Sequence, residues 1–259
     1  MAEISNCVLS IAGFDPSGGA GILADIKTFE TNQVCGMGVL SALTFQNDIQ
    51  FEGVRWIGTD EILKQVAVLQ KRVEFSVVKI GLIRDLEVLK IIIKALKQSL
   101  PGCQIIWDPI VKASAGFQFH GHFEQKQLFA VLENCHLITP NTEEVIFLTG
   151  IDKPMEAAQL LAKYCSVLLK GGHSKEEPGV DFLFKQDQVE KIFPTGKEVF
   201  AKHGSGCVLS AAIASNLAKG NDLTTSCREA KIYVELFLSS NETLLGTHDV
   251  HPTSIHITR

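Results

Sequence analysis

The chain has 259 residues, 46% apolar and 20% charged, with a formal net charge of −5. That length suits one large α/β domain or two small ones, and the composition is ordinary for a globular protein. Its Lys and Arg are scattered rather than clustered, which excludes the electrostatic footprint of a nucleic-acid or anionic-membrane binder.

The amino terminus, Met1-Ala2-Glu3-Ile4-Ser5-Asn6-Cys7, has neither the basic region nor the long apolar core of a leader. No apolar run reaches the roughly 18 residues of a membrane span, so cytoplasmic residence is expected. The seven cysteines include no C-x-x-C pair, which argues for reduced thiols rather than a disulfide framework. Six read as small buried fillers, and Cys207 stands apart.

Cys7 to Ala12 reads as a buried strand. Gly13-Phe14-Asp15-Pro16-Ser17-Gly18-Gly19-Ala20-Gly21 then leads into a helix over Ile22 to Thr31. Gly13 and Gly18 have P-loop spacing, but Gly19-Ala20 stands where Lys and Ser or Thr must reach phosphate and magnesium. Gly19, Gly21 and Ala24 match a dinucleotide fingerprint, yet that motif needs its first glycine at the strand end. Both matches are weak, and a glycine-rich turn without a ligand stays open.

Further strands are predicted at Met37 to Leu43, Val77 to Leu82, Ile105 to Trp107, His136 to Thr139 and Val167 to Leu169. Helical patterns alternate with them. Asp60 to Val73 carries Ile62, Leu63, Val66 and Leu69 on one face, and Leu86 to Leu100 ends at Pro101-Gly102. Glu124 to Glu133 and Met155 to Tyr164 add two more. Val180 to Phe184 and Val189 to Phe193, separated by Lys185-Gln186-Asp187-Gln188, read as a hairpin. The pattern predicts a mostly parallel sheet covered on both faces, with a late antiparallel element, in one domain spanning 1–259.

Ligands of such sheets bind outside the carboxyl ends of the strands. Gly13-Phe14-Asp15, Gln46-Asn47-Asp48, Asp108-Pro109, Pro140-Asn141 and Lys170-Gly171-Gly172-His173 all follow predicted strands. Lys202-His203-Gly204-Ser205-Gly206-Cys207 opens a helix over Val208 to Lys219, which Gly220 closes. Glycines at a helix start let backbone N–H groups converge on an anion. A phosphoryl group in transfer, with charge on its equatorial oxygens, needs such a nest.

A thiol in the first turn of that helix should have a lowered pKa, although Cys207 read alone fits a buried structural thiol equally well. Asp108 could be a turn residue, and Asn141 with Glu144 an N-cap and its capping-box partner. Lys170 could face solvent. His120-Gly121-His122 lacks further metal ligands and reads as a surface loop. His173 and His203 have no sequence arrangement that specifies a triad.

In combination these segments are more specific. Ile11-Ala12-Gly13-Phe14-Asp15-Pro16-Ser17-Gly18-Gly19-Ala20-Gly21-Ile22-Leu23-Ala24-Asp25-Ile26-Lys27-Thr28-Phe29 resembles the opening signature of hydroxymethylpyrimidine/phosphomethylpyrimidine kinases of thiamine biosynthesis. Thr44-Phe45-Gln46-Asn47, Lys79-Ile80-Gly81-Leu82, Asp108-Pro109, Pro140-Asn141-x-x-Glu144, Leu168-Leu169-Lys170-Gly171-Gly172-His173 and His203-Gly204-Ser205-Gly206-Cys207 follow in that family's order. The resemblance runs from Val8 to about Gly220. It implies a ribokinase-like αβα sandwich, the superfamily that also holds pyridoxal kinases.

The resemblance implies that Asp25 and Gln46 hydrogen-bond an aminopyrimidine, that Gly13 and Thr44 belong to the same substrate set, and that Leu82, at a usual methionine position, supplies an apolar wall. Gly204, Ser205 and Gly206 would form the anion hole, and Cys207 would take the proton of the substrate hydroxymethyl. Lys170, Asn141 and Asp108 would contact ATP, while Asp108 and Glu144 position Mg2+, partly through water. A homodimer is implied as well. The family phosphorylates 4-amino-5-hydroxymethyl-2-methylpyrimidine and then its monophosphate. Phe14, in place of a small residue, Ser205 in place of Thr, and the rearranged Lys112-Ala113-Ser114-Ala115-Gly116 depart from its pattern. Alternatives are a pyridoxal or pyridoxine kinase, a non-catalytic pyrimidine or nucleotide sensor, and a dinucleotide-binding oxidoreductase, the last disfavoured by its glycine placement.

Overall fold

The computed structural model describes residues 6–113, 116–121, 123–172 and 177–248. Met1 to Ser5 of the amino-terminal segment, and Ser114, Ala115, His122 and His173, lie outside these residues. The first half of the chain runs β1 (Cys7–Phe14), α1 (Gly21–Thr31), β2 (Cys35–Gln46), β3 (Phe51–Trp56), α2 (Thr59–Gln70), β4 (Val77–Ile80), α3 (Leu86–Ser99) and β5 (Gln104–Trp107). The second runs α4 (Gln125–Leu132), β6 (Leu137–Ile138), α5 (Thr142–Thr149), α6 (Pro154–Leu161), β7 (Ser166–Leu169), β8 (Asp181–Lys185), β9 (Gln188–Ile192), α7 (Ser205–Ala218) and α8 (Leu223–Leu238).

Among the described residues one sheet of nine strands results, in the order β3-β2-β1-β4-β5-β6-β7-β8-β9. Strands β2, β1, β4, β5, β6 and β7 are parallel, as the strand–helix alternation predicts. The expected late hairpin is present, with β8 antiparallel to β7 and to β9. A second antiparallel element, β3 on β2, was not expected. Phe51–Trp56 is an edge strand of alternating half-buried and exposed residues, a weaker signal than a buried apolar run.

Helices α2 to α6 cover one face of the sheet, where Leu9, Ile11, Ile80 and Ile105 meet Ile62, Leu89, Leu128, Val145 and Ala157. Helices α1, α7 and α8 cover the other, where Val8, Val77, Ile106, Leu137 and Leu168 meet Ala24, Val208, Ala212 and Val234. Burial at about 25 cal/mol per Å2 of apolar surface drives this layering. Of the cysteines expected as buried fillers, Cys35 and Cys165 are only partly buried. Among the described residues, no helix is long and apolar enough to cross a membrane.

Strand parity places the polar groups. Side chains alternate between faces at period two, so residues two beyond Val8, Val77, Ile106, Leu137 and Leu168 share their face. Those residues are Ser10, Lys79, Asp108, Thr139 and Lys170. They form a polar row under α1 and α7, at and just beyond the carboxyl ends of the strands.

Candidate active site

Helix α7 opens this region. Gly204 is its N-cap, in the left-handed conformation at φ 76° with no side-chain cap. A side chain at Gly204 would overlap the Gly19 carbonyl oxygen and Ala20, so only glycine lets the α7 start lie against the glycine-rich turn after β1. The helix's own bonding begins with Val208 N–H to the Gly204 carbonyl, at 3.0 Å. The N–H groups of Ser205, Gly206 and Cys207 therefore have no partner within the helix, the condition an anion site at a helix start requires. A Cβ on Gly206 would lie 3.1 Å from Lys170 Nζ and 3.9 Å from Asp108 Oδ2. The bare glycine thus lets the α7 start lie close to the charged row.

Lys170 Nζ donates to Asp108 Oδ1 at 3.1 Å and lies 3.5 Å from Glu144 Oε2. Thr139 Oγ1 donates to Asp108 Oδ1 at 3.0 Å, and Ser210 Oγ of α7, which lies 3.0 Å from the Gly206 and Cys207 carbonyl oxygens, is 3.4 Å from Oδ2. Burial opposes the charge on Asp108, but Lys170 and Lys79 outweigh it and hold the carboxyl below its ordinary range. Burial raises Glu144 to about 6, with Lys170 opposing and Asp108 adding to the rise. The N-cap and capping-box reading of Asn141 and Glu144 holds. Asn141 Oδ1 accepts from Glu144 N–H at 2.8 Å, Glu144 Oε2 accepts from Asn141 N–H at 2.7 Å, and the boxed glutamate still faces Lys170.

Two carboxylates flanking one lysine beside an open helix start suit a nucleotide's phosphates and a hydrated magnesium ion. Mg2+ keeps several waters and takes only one or two protein carboxylates, so Asp108 and Glu144 suffice without a larger cage. Among the described residues there is no group of three or more His, Cys, Asp or Glu arranged to hold a metal.

Lys79 extends the row toward β1. Its Nζ donates to both oxygens of Asp25, at 2.9 and 2.8 Å, and Ser10 Oγ donates to Asp25 Oδ2 at 2.5 Å. Both side chains of the pair are fully buried. Burial works against the ammonium, but Asp25, Cys207 and Asp108 together hold it charged. Asp25 was expected on the aminopyrimidine; instead its carboxylate is enclosed and committed to Lys79 and Ser10. Isolated buried charge is costly unless paired, which accounts for the arrangement.

The other expected substrate residues gather at the ends of β1, β2 and β4. A Cβ on Gly13 would lie 3.2 Å from Leu82 Cδ2, so the glycine admits the leucine wall beside it. Thr44 Oγ1 donates to the Phe14 carbonyl at 2.8 Å, fixing the β1–β2 strand ends. Gln46 closes β2, half-buried. After Asp108, Ala113 N–H donates to Phe117 O at 2.8 Å and Phe119 N–H to Val111 O at 2.9 Å. Phe117 and Phe119 pack on Phe51 of β3, at centroid distances of 4.6 and 5.2 Å.

Cys207 sits in the first turn of α7, buried. The lowered pKa expected of it is not found. Burial is the largest influence and raises the thiol, with Asp108 and Asp25 adding to it; Lys79 and a backbone hydrogen bond from Gly21 oppose, and the result is about 11. His203 also departs from expectation, because Asp15 lies 2.9 Å from its Nε2. Sequence reading gave no role to Lys79, Asp15, His203, Thr139 or Ser210. The only available signal was strand parity for Lys79 and Thr139.

The phosphomethylpyrimidine kinase family profile matches residues 15–253. The hydroxymethylpyrimidine/phosphomethylpyrimidine kinase of Rhizobium meliloti is 32% identical over 250 residues, covering 91% of each chain. That of Escherichia coli is 31% identical over 257 residues, covering 94% of this chain and 95% of its own. Among solved structures, a phosphomethylpyrimidine kinase of Clostridium difficile superposes with a TM-score of 0.74 at 30% identity, covering 88% of this chain and 97% of its own. An ADP complex of Bacillus subtilis pyridoxal kinase gives 0.80 at 28% identity, covering 93% and 94%. The fold is ribokinase-like, the protein is a phosphotransferase, and the chain belongs to the phosphomethylpyrimidine kinase family.

Proposed function

We propose that the protein transfers the γ-phosphoryl group of ATP to the hydroxymethyl oxygen of 4-amino-5-hydroxymethyl-2-methylpyrimidine, and then phosphorylates the resulting monophosphate. The observation that carries this reading is the open amino end of α7, with Cys207 in its first turn, set against Lys170, Asp108 and Glu144. An anion cradle beside a lysine and two carboxylates suits in-line phosphoryl transfer, which depends on positioning and charge stabilisation.

Each group then has a task. The N–H groups of Ser205, Gly206 and Cys207 hold the equatorial oxygens as charge develops on them. Lys170 holds nucleotide phosphate once it leaves the carboxylates. Asp108 and Glu144 would hold Mg2+, which would neutralise phosphate charge. Gly13, Leu82 and Gln46 form the pyrimidine side, with the Gln46 amide as the polar reader of the ring and Leu82 as the wall. Cys207 takes the alcohol proton as a thiolate. Asp25 acts at one remove, by holding the Lys79 ammonium that favours that thiolate.

An ADP-release assay with the pyrimidine alcohol, its monophosphate, pyridoxal and pyridoxine tests the substrate. Turnover of both pyrimidines is expected. The likeness to a pyridoxal kinase structure makes the pyridoxal arm the sharpest control, and turnover of pyridoxal alone would overturn the reading.

A further inference from the structure

The two glycine-rich segments meet through a side-chain pair to which the transfer chemistry gives no task. Asp15, in the turn after β1, is 1% exposed, and His203, just before the α7 cradle, is 5% exposed. They stand 188 positions apart in sequence, yet His203 Nε2 lies 2.9 Å from Asp15 Oδ2. The same carboxylate accepts from Ser17 N–H at 2.9 Å, from Ser17 Oγ at 2.8 and 2.9 Å, and from Ala20 N–H at 2.9 Å. It therefore shapes the whole turn as well as holding the histidine.

The tautomer follows from the surroundings. His203 Nδ1 is buried with no hydrogen-bond partner, whereas Nε2 faces a carboxylate that can only accept. The ring proton belongs on Nε2, donated to Asp15. The ring edge lies over Gly19, where a Cβ would come 2.8 Å from His203 Cδ2. The next residue, Gly204, packs its backbone on Gly19 and Ala20, and His203 N–H is itself anchored to the Leu244 carbonyl at 2.9 Å.

We propose that Asp15 and His203 are positioning residues, a buried clamp that fixes the α7 anion cradle against the glycine-rich turn so that the alcohol and the phosphoryl group meet in register. This rests on the kinase reading of the α7 site. Neither side chain is among the groups assigned to the transfer above. Their effect is on the distance between the glycine-rich turn and the α7 start, and misplacement on the order of 1 Å can cost roughly a hundredfold in rate.

The test separates the hydrogen bond from the packing. His203→Phe keeps a ring over Gly19 without the donor, His203→Gln restores a donor, and Asp15→Asn weakens the acceptor. His203→Phe and Asp15→Asn should lose roughly 30-fold or more in kcat, with KM for both substrates within about threefold. His203→Gln should recover most of the rate. The double variant Asp15→Asn/His203→Phe should fall no further than Asp15→Asn alone, because coupled residues are not additive. Losses that multiply, losses confined to KM, or a His203→Gln variant as slow as His203→Phe would overturn the clamp. If His203→Phe fails to fold by circular dichroism, Asp15→Asn with and without His203→Gln supplies the same coupling. Wild-type turnover is the control: if the wild type ignores the pyrimidine, the substrate reading fails, and the coupling is read on whichever alcohol it does phosphorylate.

Discussion

Glu144 carries two duties on one carboxylate. It closes the capping box of α5 through Asn141, and it lies 3.5 Å from Lys170. Burial, the largest influence, lifts its pKa to about 6, so its charged form is lost as pH falls through that value. A metal-positioning carboxylate is useful only when ionised. With saturating pyrimidine, apparent affinity for the magnesium nucleotide should therefore weaken about tenfold per unit below pH 6. Glu144→Gln should remove that dependence and start from a weaker affinity, and a flat wild-type profile between pH 5 and pH 7 would contradict the assignment. Residues of this kind were legible as types but not as partners. Asp108, Lys170 and Glu144 could be picked out after apolar runs, whereas Lys79 with Asp25, 54 positions apart, and Asp15 with His203 could not, because only the folded sheet and helix starts bring them together. The state of the Cys207 thiol was misjudged for a related reason. Helix position favours the thiolate, but burial and two neighbouring carboxylates outweigh it.

Helix α7 is apolar almost all round, with every residue from Cys207 to Leu217 buried, as befits a helix between a sheet and another helix. Its small residues set how close it lies. Ala212 is fully buried in the core shared with β4, β5 and α8, so Ala212→Leu should cost about 1–3 kcal/mol by overpacking. Urea unfolding measures the stability loss, and kcat should fall with it because the cradle rides on the same helix; unchanged stability would mean that the helix has slack. The strongly periodic helices α2 and α3, and the apolar strands β1, β4 and β7, were readable because their patterns are those of buried faces. Strand β3 was not, because an edge strand with half-exposed Phe51, Val54 and Trp56 carries little apolar contrast. Helix α8 was also missed: its charged positions, Arg228, Glu229 and Lys231, break the apolar signal, although Lys231 folds inward to Asp181 at 3.0 Å.

At the scale of the whole molecule, strand parity and helix order build the site together. The parallel strands deliver Ser10, Lys79, Asp108, Thr139 and Lys170 to one face, and α7 brings an uncapped amino end over them. Two glycines, Gly204 and Gly206, let backbone approach backbone and lysine approach helix. Sequence blocks in order gave the family, and the fold brings Lys79, Asp108 and Lys170 from three of those blocks to one face of the sheet. The central claim is that phosphoryl transfer occurs at the α7 start with Cys207 as base. A base that titrates near 11 is mostly protonated at neutrality, so wild-type kcat/KM should rise with pH above 7 as the thiolate fraction grows. The most direct measurement is turnover of Cys207→Ala across that pH range, alongside its equilibrium binding of the pyrimidine alcohol. A loss of roughly a hundredfold or more, with binding retained and the rise with pH abolished, is predicted; undiminished turnover with the wild-type pH profile would contradict it.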